Sequence, residues 1–246
     1  MPDLPWVTIK YAQTLDGRIA TRSGESQWIS GAEALVYAHE LRATHDAILV
    51  GVGTVLRDNP QLTVRLVAGR DPLRIVVDST LRTPPDAALL ALPGPTWFAA
   101  TPAAAPARRA QLEARGARVL VLPPEADGRV DLQALLETLA GEGIRSVLVE
   151  GGAAVITSLL RRRLAHRLVV CVAPKVLGAG LEAVGDLGIV RLDEALTFHN
   201  GRFRPCGHDM LFEGDIAGAR AAGFPPPAHT PVAAAPHRNS ATEPPS

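Results

Sequence analysis

Cysteine is nearly absent from this chain: two among 246 residues, Cys171 and Cys206. Two thiols cannot build a disulfide framework, and neither lies in a Cys-x-x-Cys or His/Cys cluster of the kind that holds zinc. Net charge is absent as well, with 25 basic against 25 acidic side chains, which leaves no electrostatic footprint for nucleic acid or an anionic membrane. No apolar stretch goes beyond that from Leu168 to Ala173, far short of the ~20 residues a spanning helix needs. The opening Met1-Pro2-Asp3-Leu4-Pro5 lacks the basic region and apolar core of an export signal. Lysine is scarce, Lys10 and Lys175 standing alone beside many arginines, a bias of GC-rich coding rather than of chemistry. What is present, 47% hydrophobic and 20% charged residues, points to a cytoplasmic globular protein that handles small molecules.

The last residues lack something else. From Pro225 to Ser246 there is no Ile, Leu, Met or aromatic residue, but there are seven prolines. Such a segment cannot bury enough apolar surface to offset its ordering entropy. The expected organisation is one domain over residues 1–222 and a disordered Pro/Ala-rich tail over 223–246. An inert extension is the simple reading of that tail, and docking through Pro225-Pro226-Pro227 the alternative.

Within the domain, short β-branched runs alternate with helical patterns. Trp6 to Tyr11, Ala47 to Val50, Leu73 to Asp78, Thr96 to Ala99, Arg118 to Leu122, Ser146 to Val149, Arg167 to Val172 and Asp209 to Ile216 read as strands. Ser30-Gly31-Ala32-Glu33 reads as a capping box opening a helix to about Ala43. Further helices are expected over 107–115, 132–141 and 153–163. Strand–helix alternation of this kind implies an α/β fold with a mostly parallel sheet covered on both faces.

Val147-Leu148-Val149-Glu150-Gly151-Gly152, followed by a helix, is the strongest local signal. A buried strand running into paired glycines at a helix N-terminus offers backbone N–H groups to an anion, although glycines also serve plain tight turns. Glu150 at that mouth suits a sugar hydroxyl or an amine; its bland alternative is a solvated loop acid. Gly51-Val52-Gly53-Thr54 begins like a dinucleotide fingerprint, but Leu56 stands where glycine or alanine is required, so a Rossmann phosphate loop is excluded. Thr54 and Asp58 follow on a strand-to-helix turn, as ligand contacts or as caps. Asp78-Ser79-Thr80 ends another strand in side chains that suit a ribose, a 2′-phosphate or simple turn formation. Trp28 suits stacking on a flat ring or a staple onto the core. Arg42 and Arg65 suit bidentate phosphate binding, although a surface position is the commoner fate of an arginine. His39-Glu40 has no Pro-Cys-x-x-Cys after it, since Pro205-Cys206-Gly207-His208 lacks a second cysteine. No metal is therefore expected.

Taken in order, these segments resemble the reductase domain of the bifunctional bacterial riboflavin-biosynthesis deaminase/reductase. The resemblance is carried by Thr14-Leu15-Asp16-Gly17-Arg18-Ile19-Ala20, Gly24-Glu25-Ser26-Gln27-Trp28-Ile29 and Ile48 to Val55. It continues through Asp58-Asn59-Pro60-Gln61-Leu62-Thr63-Val64-Arg65, Arg74 to Ser79, Val149-Glu150-Gly151-Gly152 and Ala173 to Gly178. It implies a dihydrofolate-reductase-like fold, a central mixed sheet flanked by helices, with NADPH as cofactor and a homodimer as assembly. The implied reaction reduces 5-amino-6-(5-phosphoribosylamino)uracil to the ribitylamino product by hydride transfer to C1′ of the ring-opened ribosylamine.

Carried over position by position, the resemblance gives substrate contacts to Ser26, Arg42, Leu62, Arg65 and Glu150, the arginines meeting the 5′-phosphate. It gives cofactor contacts to Ala12, Trp28, Thr54, Asp58, Ser79 and the turn Gly151, Gly152, Ala153, Ala154, Val155. Lys10, together with Glu150, is the expected catalytic pair, Lys10 as proton source or hydroxyl anchor. No deaminase segment is expected before Trp6. A stand-alone reductase acts either after deamination or on the undeaminated 2,5-diaminopyrimidinone. Reduction of dihydrofolate or a related heterocycle, and a catalytically silent NADPH-binding scaffold, are the other readings.

Overall fold

β3 (Ala47–Gly51), β4 (Leu73–Val77) and β7 (Ser146–Val149) are buried at every position. Strands with no solvated face must be covered on both sides, which places them in the middle of a sheet between helices. The structure, a computed structural model describing residues 4–27 and 29–228, has that arrangement. β8 (Arg167–Ala173), β1 (Trp6–Thr14), β7, β3, β4, β5 (Thr96–Ala100) and β6 (Arg118–Val121) lie side by side, all parallel. β11 (Asp209–Ile216) joins antiparallel to β8, and β10 (Phe198–Cys206) antiparallel to β11, which completes a nine-stranded sheet. A separate ribbon pairs β2 (Arg18–Thr21) with β9 (Gly180–Glu182).

The two-residue period of the strands sorts the core by face. Val7, Ile9, Val147 and Val149 pack against Leu135, Leu139 and Ile156 of α4 (Leu132–Gly141) and α5 (Ala153–Arg161). Leu148, Val169 and Cys171 turn the other way, onto Tyr37 and Leu41 of α1 (Ala32–Thr44). Ile48, Val50 and Val76 share that second face with Val55 of α2 (Val52–Asp58) and Leu112 of α3 (Pro106–Glu113).

Differences from the sequence reading are local. The capping box does not form. The N-cap of α1 is Gly31, with no side-chain cap bond, and Asp209 Oδ2 of β11 accepts the Gly31 N–H at 2.7 Å instead. Thr54 and Asp58 lie within α2 rather than on a turn. α5 stops at Arg161 because Arg163 takes a left-handed φ of 56°. Three strands fall outside the ranges read from the sequence, which has only a weak short-strand pattern after Pro174: β2 and β9 are short, and β10 is an edge strand largely open to solvent. Near the tail, the Gly223 N–H donates to Leu4 O at 2.9 Å and Arg145 stands 5.8 Å over the Phe224 ring. Residues 229–246 of the expected tail, and Trp28, lie outside the described residues.

Candidate active site

Because the central strands are parallel, the carboxyl ends of β1, β3, β4 and β7 reach one edge of the sheet together, where open α/β sheets bind ligands. A cleft of about 1250 Å³ opens there, with an apolar ribbon wall at Ile19 and Leu181. Its lining includes Lys10, Ala12, Ser26, Thr54, Asp58, Ser79, Glu150 and the whole turn Gly151 to Val155. Residues scattered over 146 positions of sequence thus meet at one surface.

Lys10 is half-buried on β1, beside the strand that delivers Glu150. Ile9 pairs with Val149, so the next residues, Lys10 and Glu150, point to the same face. Across from them, Ser26 Oγ donates to Asp58 Oδ1 at 3.1 Å, which joins the 22–31 loop to the end of α2. Ser79 Oγ accepts the Val130 N–H at 3.1 Å and so fixes the far end of the cleft, where Thr80, Arg82 and Arg129 also stand.

Arg42 and Glu150 form the principal electrostatic feature. Arg42 Nε and Nη2 each donate to one Glu150 carboxylate oxygen at 2.7 Å, with side chains only 11% and 9% exposed. Arg42 Nη1 donates to Thr63 O at 3.0 Å. Burial alone would raise the Glu150 pKa; the charge and hydrogen bonds of Arg42, with Lys10 and His39 nearby, carry it below the usual carboxylate range. Glu150 therefore presents a fixed negative charge to the cleft.

Three expected substrate contacts stand elsewhere. Arg42, Leu62 and Arg65 are not among the residues that line the cleft. Arg42 has Glu150 as its first partner rather than the phosphate expected of it. The Leu62 side chain is buried in the core under a left-handed φ of 56°. Arg65 is exposed beside the pair, its Nη1 donating to Thr63 Oγ1 at 2.7 Å. Sequence reasoning passed over Thr63, Asp209, Arg82 and Arg129, and treated His39 only as part of a failed metal motif. The spacing of His39 and Arg42, three apart on one helix, was the available signal.

The turn after β7 is shaped to receive an anion. Gly152 has φ 87°, and a Cβ there would lie 3.0 Å from the Gly51 backbone. α5 has no side-chain cap, which leaves its first-turn N–H groups for a ligand. This glycine-lined helix start is thus open to an anion such as a pyrophosphate. Gly152→Ala should lower stability by about 1–2 kcal/mol through the positive φ alone, and weaken dinucleotide binding by more than about tenfold. Melting and fluorescence titration with NADPH check this; an unchanged affinity would remove the turn from the binding site.

The family model described as the RibD C-terminal domain matches residues 5–212. The chain belongs to the RibD C-terminal domain family. Within that family it is 41% identical over 220 residues to the 2,5-diamino-6-ribosylamino-4(3H)-pyrimidinone 5′-phosphate reductase of Methanothermobacter thermautotrophicus, covering 87% of this chain and 99% of that one. It is 38% identical to the riboflavin biosynthesis protein RibD of Aquifex aeolicus, over 84% of this chain and 56% of the relative. Among solved structures, the diaminohydroxyphosphoribosylaminopyrimidine deaminase/5-amino-6-(5-phosphoribosylamino)uracil reductase of Thermotoga maritima aligns with a TM-score of 0.68 and 28% identity, over 87% of this chain and 57% of that one. The chain thus spans little more than half the length of the Aquifex and Thermotoga relatives. The family places it as a reductase of riboflavin biosynthesis with a dihydrofolate-reductase-like fold.

Proposed function

We propose that this cleft reduces 5-amino-6-(5-phosphoribosylamino)uracil with NADPH. The observation that carries the reading is the meeting in one cleft of Lys10, Glu150 and the Gly152 helix start, with Glu150 held by Arg42. A reduced nicotinamide, when bound, supplies the hydride. The residues supply position and a proton. Opening the ribosylamine ring breaks the C1′–O4′ bond, places the carbon in a C=N bond to the amine nitrogen, and leaves O4′ needing a proton. Lys10, the one lysine in the cleft lining, is the donor to O4′. Glu150, kept ionised by Arg42, holds the polar edge of the pyrimidine or ribose. Arg65 meets the 5′-phosphate.

NADPH rather than NADH is supported by the end of β4. Asp78 is wholly buried, its Oδ2 accepting both the N–H and the hydroxyl of Thr83 at 2.8 Å. The acid that would repel a 2′-phosphate thus faces inward, and Ser79, Thr80, Arg82 and Arg129 line the cleft in its place. Replacing Arg82 and Arg129 together by alanine should weaken NADPH binding by about tenfold to a hundredfold and NADH binding by less than about threefold. Equal losses for both cofactors would rule these arginines out as selectivity residues.

The near-complete overlap with the archaeal reductase favours a second reading, in which the undeaminated pyrimidinone phosphate is the substrate. Loss of NADPH absorbance with each pyrimidine in turn decides between them, with dihydrofolate as the third arm. Faster turnover of the uracil supports the first reading, and faster turnover of the diaminopyrimidinone the second. A cytoplasmic location is supported by two buried, unpaired thiols, Cys171 and Cys206. A homodimer is supported by the outer edge of β10, where Phe203 is 68% exposed.

A further inference from the structure

Behind the Arg42–Glu150 pair lies a side chain that the proposed chemistry does not use. His39 is fully buried on α1, three residues before Arg42. Its Nδ1 accepts the Arg65 backbone N–H at 2.9 Å. A ring nitrogen that accepts a backbone N–H carries no proton, so this hydrogen-bond pattern assigns the single ring proton to Nε2. The 3.5 Å approach of Nε2 to Arg42 Nη1 is then a packing contact between two N–H groups.

One turn of α1 therefore grips the segment before Arg65 at two points. Arg42 takes the Thr63 carbonyl and His39 takes the Arg65 amide, while the intervening Val64 N–H goes to Asp71 Oδ1 at 2.6 Å. The segment has no helix or strand of its own. A backbone without regular structure has only such side-chain partners to fix its course.

We propose that His39 is a positioning residue for substrate phosphate: its neutral imidazole holds the Arg65 amide and so sets where the Arg65 guanidinium stands. This rests on the reading of Arg65 as the phosphate cation. Four charged groups face the ring. Arg42 on its own helix, Arg65 on the gripped segment and Lys10 on β1 disfavour a second proton, and Glu150 after β7 favours one. Burial, then Arg42 and Arg65, push the imidazole down to about 4, so the acceptor at Nδ1 persists at neutral pH. A folded pKa below the unfolded value of about 6.5 means that its contribution to stability is complete above that pH and declines below it, while in the folded protein the hold itself persists until pH falls toward about 4.

Two amide variants separate positioning from bulk. In His39→Asn the side-chain oxygen stands near the Nδ1 position and keeps the Arg65 amide paired. In His39→Gln the amide reaches the Nε2 position and leaves that N–H without an acceptor. The expected result is a KM for the phosphorylated pyrimidine raised about tenfold or more in His39→Gln, with kcat and NADPH affinity within about threefold, and a KM near wild type in His39→Asn. Between about pH 7 and 5 the KM profiles of the wild type and His39→Asn should run parallel, both following the substrate phosphate near ~6, because the imidazole stays neutral in the folded protein over that range. Equal KM values for the Asn and Gln variants, or a wild-type KM that rises through pH 6 more steeply than that of His39→Asn, would overturn the proposal. Arg65→Gln is the accompanying control. If it leaves KM unchanged, the phosphate reading of Arg65 fails and the positioning role fails with it. If it raises KM while His39→Gln does not, only the role of His39 is lost.

Discussion

Lys10→Met abolishes most turnover and spares the fold: kcat falls by about a hundredfold to ten-thousandfold, the range that a positioned general acid contributes, and the melting temperature stays within a few degrees. Methionine keeps the length and apolar stem of lysine, so packing on β1 is preserved. Glu150 keeps both hydrogen bonds from Arg42, so no buried carboxylate is left bare. NADPH binding, which the proposal places at the Gly152 turn and the far end of the cleft, should be retained. Steady-state kinetics give kcat and KM, and fluorescence titration gives the cofactor affinity. A raised KM with kcat unchanged would make Lys10 a hydroxyl anchor rather than a proton donor. Unchanged values of both would remove it from the mechanism.

Arg42→Leu has the largest expected effect on stability. Removing one partner of a buried, bidentate pair leaves a carboxylate out of water with no compensating charge, a loss of about 3–5 kcal/mol. For a domain of this size that is a fall in melting temperature of roughly 10 °C. The sign of the pH dependence follows from Glu150. In the wild type its pKa is held below the usual range, so the pair stabilises the fold above about pH 4.3 and the gain is lost as pH falls below it. In the variant Arg42 no longer offsets burial, so the carboxyl is pushed up and its penalty is relieved by protonation. The gap between the two proteins should narrow from pH 7 toward pH 5. The Arg42→Leu/Glu150→Leu double variant should lose less than Arg42→Leu alone, because no bare charge is left behind. Denaturant unfolding measures all three, and a gap that is small and constant with pH would show the pair to be solvated.

What the sequence made legible is what short-range pattern encodes. β3, β4 and β7 announce themselves because strands buried on both faces are unbroken apolar runs. α4 was readable to the residue from its spacing, and the structure adds an Asp131 cap that accepts from the Gln133 and Ala134 N–H groups. The Glu150-Gly151-Gly152 turn was readable because two glycines after such a run have a backbone reason to be there. Other features depend on topology. β10 pairs on one side only and carries Gly201 and Pro205 among exposed residues, so no alternation marks it. The cap of α1 comes from Asp209, 178 residues away, and Ser30-Gly31-Ala32-Glu33 offered a plausible local substitute.

The site divided the same way. Lys10, Ser26, Thr54, Asp58, Ser79 and Glu150 meet in one cleft because the parallel sheet delivers their strand ends together. The partnership of Arg42 with Glu150, 108 positions apart, is invisible until the two strands and α1 are assembled. Arg42 read in isolation is simply a cation seeking an anion, and a phosphate was the nearest one in view. His39 was obscured for a related reason: its partner is a backbone amide, which leaves no mark in the sequence.

Hydride delivery to C1′ is tested most directly with NADPH deuterated at both nicotinamide C4 positions and 5-amino-6-(5-phosphoribosylamino)uracil as acceptor. The expected product carries one deuterium, at C1′ of the ribityl chain, seen by mass spectrometry and located by NMR. Oxidation of the cofactor with no deuterium at C1′ would contradict reduction of the ribosylamine in this cleft.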